Sequence, residues 1–154
     1  MKNGTLKIDN ARITYKNFSG KKTDFNREGE RNFSLIIDSA ENADLLKENG
    51  WNVKIKQPRE EGDLPFMYLK VKVSYKFGGP NVYLNSGKVK RILDEETIGS
   101  LDGMEIESID MDLRPSFWTM NGNKGVTPYL DSMWVTQHMD RFAARFFSDD
   151  EESE

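Results

Sequence analysis

Hydrophobic positions in this chain recur mostly at every second residue, the spacing of a half-buried β-strand. The clearest run is Met67 to Phe77, where Met67, Leu69, Val71, Val73, Tyr75 and Phe77 share one face and Tyr68, Lys70, Lys72, Ser74 and Lys76 the other. Trp51 to Lys56 repeats the design, with Trp51, Val53 and Ile55 inward and Lys54 and Lys56 outward. In Arg31 to Ile37 the inward residues are Phe33, Leu35 and Ile37, with Arg31 as a basic flank. Near the N-terminus Leu6 and Ile8 share one face, and Ala11, Ile13 and Tyr15 then take over, leaving Arg12, Thr14 and Lys16 outward. That change of phase predicts a β-bulge near Asn10 that bends a long first strand.

Asn81 to Leu84 and Lys88 to Leu93 are shorter strands, set off by Gly78-Gly79-Pro80 and Ser86-Gly87. Ile106 to Leu113 and Val126 to Gln137 complete the set, the latter with Met133 and Val135, or Trp134, inward according to register. Asn121 to Gly125 between them is a hairpin turn signal. One helix is expected, capped by Ser39 and stopped at Asn49-Gly50; Asp94 to Leu101 is a second short helix or turn. Several short strands, a bent first strand and one short helix between strands predict an all-β, OB-fold-like small barrel. A β-sandwich is the runner-up.

With 154 residues the chain is one domain. It has no Cys, which excludes disulfides, thiolate catalysis and Cys-ligated zinc, and one His, which excludes multi-His metal sites. No apolar run is long enough to span a membrane and no signal peptide is evident, so a cytoplasmic protein is expected.

Charge changes the picture more. The formal net charge is −4, yet residues 1–91 hold 18 Lys/Arg against 11 Asp/Glu, and five of the 26 acids lie in Ser148 to Glu154. The expected organisation is a domain over 1–147 and an acidic, disordered tail over 148–154. A basic body with an acidic end suits a protein that handles a polyanion and carries its own competitor for that site; the tail would serve equally as a solubility device.

The candidate binding residues are Arg12, Lys16, Arg31, Lys54, Lys56, Tyr68, Lys70, Lys72 and Lys76. On neighbouring strands their cations form one basic face able to neutralise successive phosphates. Tyr68, with the loop aromatics Phe18, Phe25 and Phe66, would stack bases beside it. Outward lysines also merely solvate a sheet, but one sign on at least three strands favours binding. Trp51, Trp118 and Trp134 read as core, Trp118 least firmly because it follows Pro115 at a strand end. Glu105, Glu107, Asp110 and Asp112 could together hold a divalent cation, or pair with lysine strands, or face solvent.

The chain resembles the single-stranded DNA-binding proteins of tailed bacteriophages. Carrying the resemblance are Asn10 to Ile13, Arg31 to Leu35, Gly50 to Lys54, Tyr68 to Val73, Asp112 to Trp118 and the acids from Asp149 to Glu154. The resemblance implies an OB-fold with an acidic C-terminal tail, no cofactor and no catalytic or metal-binding residue. It further implies sequence-independent binding of single-stranded DNA in phage-type replication or recombination within the host bacterial cytoplasm, with other proteins of those processes as tail partners. One departure is that Phe146-Phe147 precede the acids, where some relatives end in an aromatic. Rival expectations are an RNA-binding OB module, a metal-dependent phosphodiesterase built on the acidic strand, and a structural or assembly protein.

Overall fold

The computed structural model describes residues 4–58, 60–62, 64–76 and 78–139. The tail over 148–154, Phe146, Phe147 and Phe77 therefore lie outside the described residues.

The first strand is bent, as its change of phase predicts. β1 (Leu6–Ile8) and β2 (Ile13–Asn17) are its two halves. Between them Asn10 takes a φ of 52° and donates its N–H to Asp110 Oδ1 at 2.8 Å. Asn tolerates this left-handed conformation better than most residues. The two residues that follow then bond in opposite directions. Ala11 N–H donates to Ile109 O (2.7 Å), whereas Arg12 O accepts from Ile36 N–H (2.9 Å).

That division closes a barrel. β3 (Arg31–Ile37) pairs with β2 on one side and, across α1 (Ala40–Glu48) and β4 (Lys54–Lys56), with β5 (Phe66–Val73) on the other. β6 (Asn81–Ser86) and β7 (Val89–Leu93) form a hairpin. β8 (Ile106–Met120) and β9 (Asn123–Gln137) form a long one. β5 meets β9 in parallel at Lys72↔Tyr129, and β8 returns to β1 at Leu6↔Leu113. A single parallel contact in an otherwise antiparallel five-member ring gives an all-β, OB-like barrel. The β6–β7 hairpin continues the sheet by pairing β6 in parallel with the last third of β9.

Phe33, Leu35, Leu69, Val71, Ile109, Met111, Leu113, Leu130 and Met133 fill the interior. Each such burial contributes about 1.5–3 kcal/mol. A 3-10 helix over Ile98–Gly103 packs Ile98 and Leu101 against the same core as Phe18 and Phe33. It is tied down by Asp102, whose carboxylate accepts from Phe18 N–H (2.7 Å), Ser19 N–H (3.0 Å) and the Ser19 hydroxyl (2.6 Å). On α1 the Ser39 hydroxyl accepts from Asn42 N–H, and Gly50, at φ 87°, ends the turn after the helix.

The structure corrects the pattern in four places. Tyr15 is exposed, because it too has a positive φ (51°) at a register shift between Thr14 and Asn17. Ile55 is exposed because β4 is a three-residue edge strand with β5 as its partner. Trp134 faces out: a second register shift beside Asp112/Leu113 lets Leu130 and then Met133 and Val135 point inward. Finally, β8 and β9 run well past the ends expected at Leu113 and Val126. Pro115 and Pro128 face each other across the ladder. Neither has an N–H to give, so their pair occupies a non-hydrogen-bonded position and pairing continues to the two-residue turn at Asn121-Gly122, both at positive φ.

Candidate nucleic-acid interface

Strand register assembles the outer face row by row. Ile36, Tyr68 and Lys54 lie abreast across β3, β5 and β4; Thr14, Ser34 and Lys70 follow across β2, β3 and β5. The third row runs Asn17, Asn32, Lys72, Tyr129 and Arg114, from β2 around to β8. Two grooves cross these rows. One, of about 540 Å³, is lined by Tyr15, Phe25, Asn32, Ser34, Lys56, Tyr68 and Lys70 among others. The other, of about 260 Å³, is lined by Asn52, Lys54, Lys70, Lys72, Trp118 and Thr127, with Val126 and Pro128. Lys70 belongs to both, so the grooves adjoin and Lys70 stands where they meet.

Of the nine sequence-predicted residues, five therefore converge: Lys54, Lys56, Tyr68, Lys70 and Lys72. Arg12 lies at the edge of the face, its carbonyl bonded to Ile36 and its guanidinium 3.9 Å from Asp38 in an exposed pair. Lys16 lines the larger groove, but its ammonium donates to the carbonyls of Leu101 (3.0 Å) and Met104 (3.1 Å) and so anchors the 3-10 helix. Arg31 shares the phase of Phe33 and Leu35, not that of the lysines. It lies over the Tyr75 ring at 5.6 Å and pairs with Glu95 at 3.5 Å, away from the grooves. Lys76 is exposed beyond the end of β5.

The aromatic residues divide similarly. Phe18 is fully buried against Phe33, with ring centroids 5.3 Å apart, and cannot meet a base. Phe25 is 88 % exposed at the mouth of the larger groove. Tyr15, Phe66 and Tyr68 form a chain of neighbouring rings, at 6.5 and 5.9 Å. The loop that presents Phe25 is held by Asn26, whose side chain donates to the carbonyls of Lys21, Arg27 and Glu30 and accepts from Asn32 Nδ2 at 2.7 Å. Asn17 and Lys21 exchange two further hydrogen bonds.

Sequence reasoning missed the second groove wall. The β8–β9 hairpin carries Phe117, Trp118 and Met120 outward, all exposed. Trp118 packs over Gly125, where a side chain would collide with the indole. Phe117-Trp118 opposite a glycine was the available signal, hidden by Pro115. On the barrel's outer surface Arg114 also covers the Tyr129 ring at 5.1 Å, which shields part of the third row.

Burial raises the Tyr75 hydroxyl to about 12, with Arg31 opposing the shift and Asp94 and Glu95 adding to it. Asp94 is held below the ordinary carboxylate range, first by the Thr97 hydroxyl, against a smaller desolvation effect, and further by the N–H groups of Thr97 and Glu96. As for the acidic strand, among the described residues no three His, Asp or Glu side chains gather as metal ligands would. Asp110 accepts the Asn10 N–H instead. Among the described residues no helix is long and apolar enough to cross a membrane.

A family model described as "Putative phage ssDNA-binding domain" matches residues 1–152. No curated protein matches the sequence. Among solved structures the chain is similar to the single-stranded DNA-binding protein from bacteriophage Enc34. The TM-score is 0.53 at 15 % identity, over 92 % of this chain and 89 % of that one. A C-terminal truncation of that protein gives 0.50 at 16 %, covering 91 % and 93 %. The same protein in complex with ssDNA gives 0.50 at 16 %, covering 92 % and 94 %. At such identities the likeness is one of fold.

Proposed function

We propose, for a chain that belongs to the phage ssDNA-binding domain family, that it coats single-stranded DNA without sequence preference and without catalysis. The observation that carries this reading is Lys70 at the meeting of two grooves, each supplied with a second lysine and an exposed ring. Phosphates would pass Lys54, Lys70, Lys72 and Lys56, while bases stack on Phe25, Tyr68 and Trp118. Every base has a π-face, so stacking tolerates any sequence. Among the described residues this surface is built from strands and carries no groove-reading helix, which supports preference for single strands over duplex.

The acidic run after Phe147 supports a further part of the reading, recruitment of replication or recombination proteins in the host cytoplasm. The deciding experiment is a poly(dT) titration at several salt concentrations, with duplex as competitor. Binding should weaken with salt at a log–log slope of about −0.7 per phosphate contacted. Equal affinity for duplex and single strand would overturn the proposal. Poly(U) in the same titration separates a DNA coat from an RNA-binding module, which a 2′-hydroxyl contact would favour.

A further inference from the structure

Ser34 carries a hydroxyl that the fold itself does not use. It lies in the middle of β3 in the outward phase, between Thr14 of β2 and Lys70 of β5, yet is only 6 % exposed. Asn26 and Ser86, the other buried polar residues among those described, are both hydrogen-bonded, to Glu30 O at 2.7 Å and Gln137 Oε1 at 2.7 Å. Ser34 Oγ has no such partner among the described residues. Buried polar groups are nearly always paired, so an exception needs a physical reason. Among the described residues, the atoms wholly enclosed without a partner are Arg31 Nε and Tyr75 Oη. The Ser34 oxygen instead keeps an opening, and the residue lines the larger groove.

What surrounds that opening favours a flat, neutral group over an anion. Tyr15, Phe25 and Tyr68 line the groove with rings. Lys70 is exposed at the border with the second groove, while the Lys16 ammonium is taken by the Leu101 and Met104 carbonyls. Asp102 adds a carboxylate to the same lining, which disfavours a phosphate inside the groove. Asn32 stands two residues along the same face of β3, about 7 Å away. Its Nδ2 donates to Asn26 Oδ1 at 2.7 Å, and its own Oδ1 has no donor among the described residues. The floor thus offers a hydroxyl that both donates and accepts, and a carbonyl that accepts. The Watson–Crick edge of every base carries a donor and an acceptor, and an unstacked base is held by such an edge contact together with aromatic rings on its faces.

We propose that the larger groove takes one base of the bound strand edge-first. Ser34 Oγ and Asn32 Oδ1 form the hydrogen-bonding seat for its Watson–Crick edge, and Phe25 and Tyr68 flank its faces. The inference rests on the proposed single-strand binding and adds where one base goes. A hydroxyl rotates to donate or accept, so the seat holds any of the four bases and leaves the footprint tolerant of sequence. A base in a duplex has that edge already occupied by its complement. The seat therefore selects single strands by itself, and a seated base cannot pair. Lys70, at the border of the groove, meets the phosphate that leads on to the nucleotide in the second groove.

The test uses the full-length chain and the shortest oligo(dT) that binds at full affinity, so that the register is fixed. A single N3-methylthymine is moved along it, which blocks the donor on the pairing edge but leaves the phosphates and ring faces in place. One position should lose roughly five-fold in affinity and the others little. In Ser34→Ala the loss at that position should be much smaller, because the methyl group and the substitution remove the same contact. The variant should also bind plain oligo(dT) several-fold more weakly at an unchanged Tm, since the hydroxyl has no partner within the fold to lose. Equal affinity at every position in the parent protein would overturn the proposal. So would an undiminished penalty in Ser34→Ala, or a fall in its Tm with binding unchanged, which would make Ser34 structural. No binding of oligo(dT) at all would overturn the single-strand reading itself, and the seat with it.

Discussion

Trp118 on β8 and Gly125 on β9 are direct register partners, and the six-membered ring of the indole occupies the space of the glycine's missing side chain. Gly125 has no positive φ, so Ala costs nothing in backbone strain there and acts only by displacing the ring. Gly125→Ala should therefore weaken poly(dT) binding by about 1–3 kcal/mol, the usual worth of one stacked base. Trp118→Ala should do the same, and the double variant should be little worse than either single one. Additive losses in the titration would show that the two residues act separately.

Lys70 should matter more than any other single lysine. Lys70→Ala is expected to lower the salt slope by about 0.7 and to weaken binding, whereas Lys76→Ala, beyond the end of β5, should leave the slope unchanged. Titrations at three or more salt concentrations read both quantities.

Lys16 and Arg31 should behave as structural cations. Removing the Lys16 ammonium leaves the Met104 carbonyl without that donor and the Leu101 carbonyl with only the Met104 N–H at 3.4 Å, at a cost of about 1–3 kcal/mol. For Lys16→Met that corresponds to a loss of several degrees in Tm, at about 2–4 °C per kcal/mol for a chain of this size. Arg31→Ala should lower Tm similarly by uncovering Tyr75. Both variants should keep the salt slope of the parent protein.

Tyr75 predicts a response to alkali. Its folded value near 12 exceeds the ordinary 10, so its neutral form stabilises the fold fully below pH 10. That contribution is lost as pH rises from 10 through 12. The hydroxyl is buried with no hydrogen-bond partner among the described residues, so Tyr75→Phe should change stability at pH 7 by less than about 1 kcal/mol. Chemical denaturation at pH 7, 9 and 11 should show a smaller alkaline loss in the variant than in the parent.

What was legible in the sequence is what a period of two can report. The phase change at Asn10, the inward Phe33, Leu35, Leu69 and Val71 and the outward Lys54, Lys70 and Lys72 all follow from alternation, and so does the barrel. Alternation fails at a register shift, which is why Tyr15 and Trp134 turned up on the opposite side. It also identifies a face without saying where a long side chain ends. Lys16 reaches down to a helix and Arg31 lies on the inner phase, yet both are basic residues beside the outward row in the sequence. The hairpin wall stayed hidden because a proline inside a strand normally ends it, and only a second proline directly opposite makes pairing through Pro115 harmless.

The bent first strand sets a timetable for the chain's own synthesis. β2 finds β3 within about twenty residues, but β1 waits for β8: Leu6 pairs with Leu113, and Asn10 bonds to Asp110, 100 residues later. At about 5–20 residues per second a ribosome takes roughly 5–20 s to deliver that partner. For that interval Leu6 and Ile8 have no ladder to join, and closing so long a loop is the entropically expensive step of folding. Closure of the ring therefore waits until β8 and β9 have both been made, and a pause in translation before β8 would lengthen the life of an open, unpaired edge.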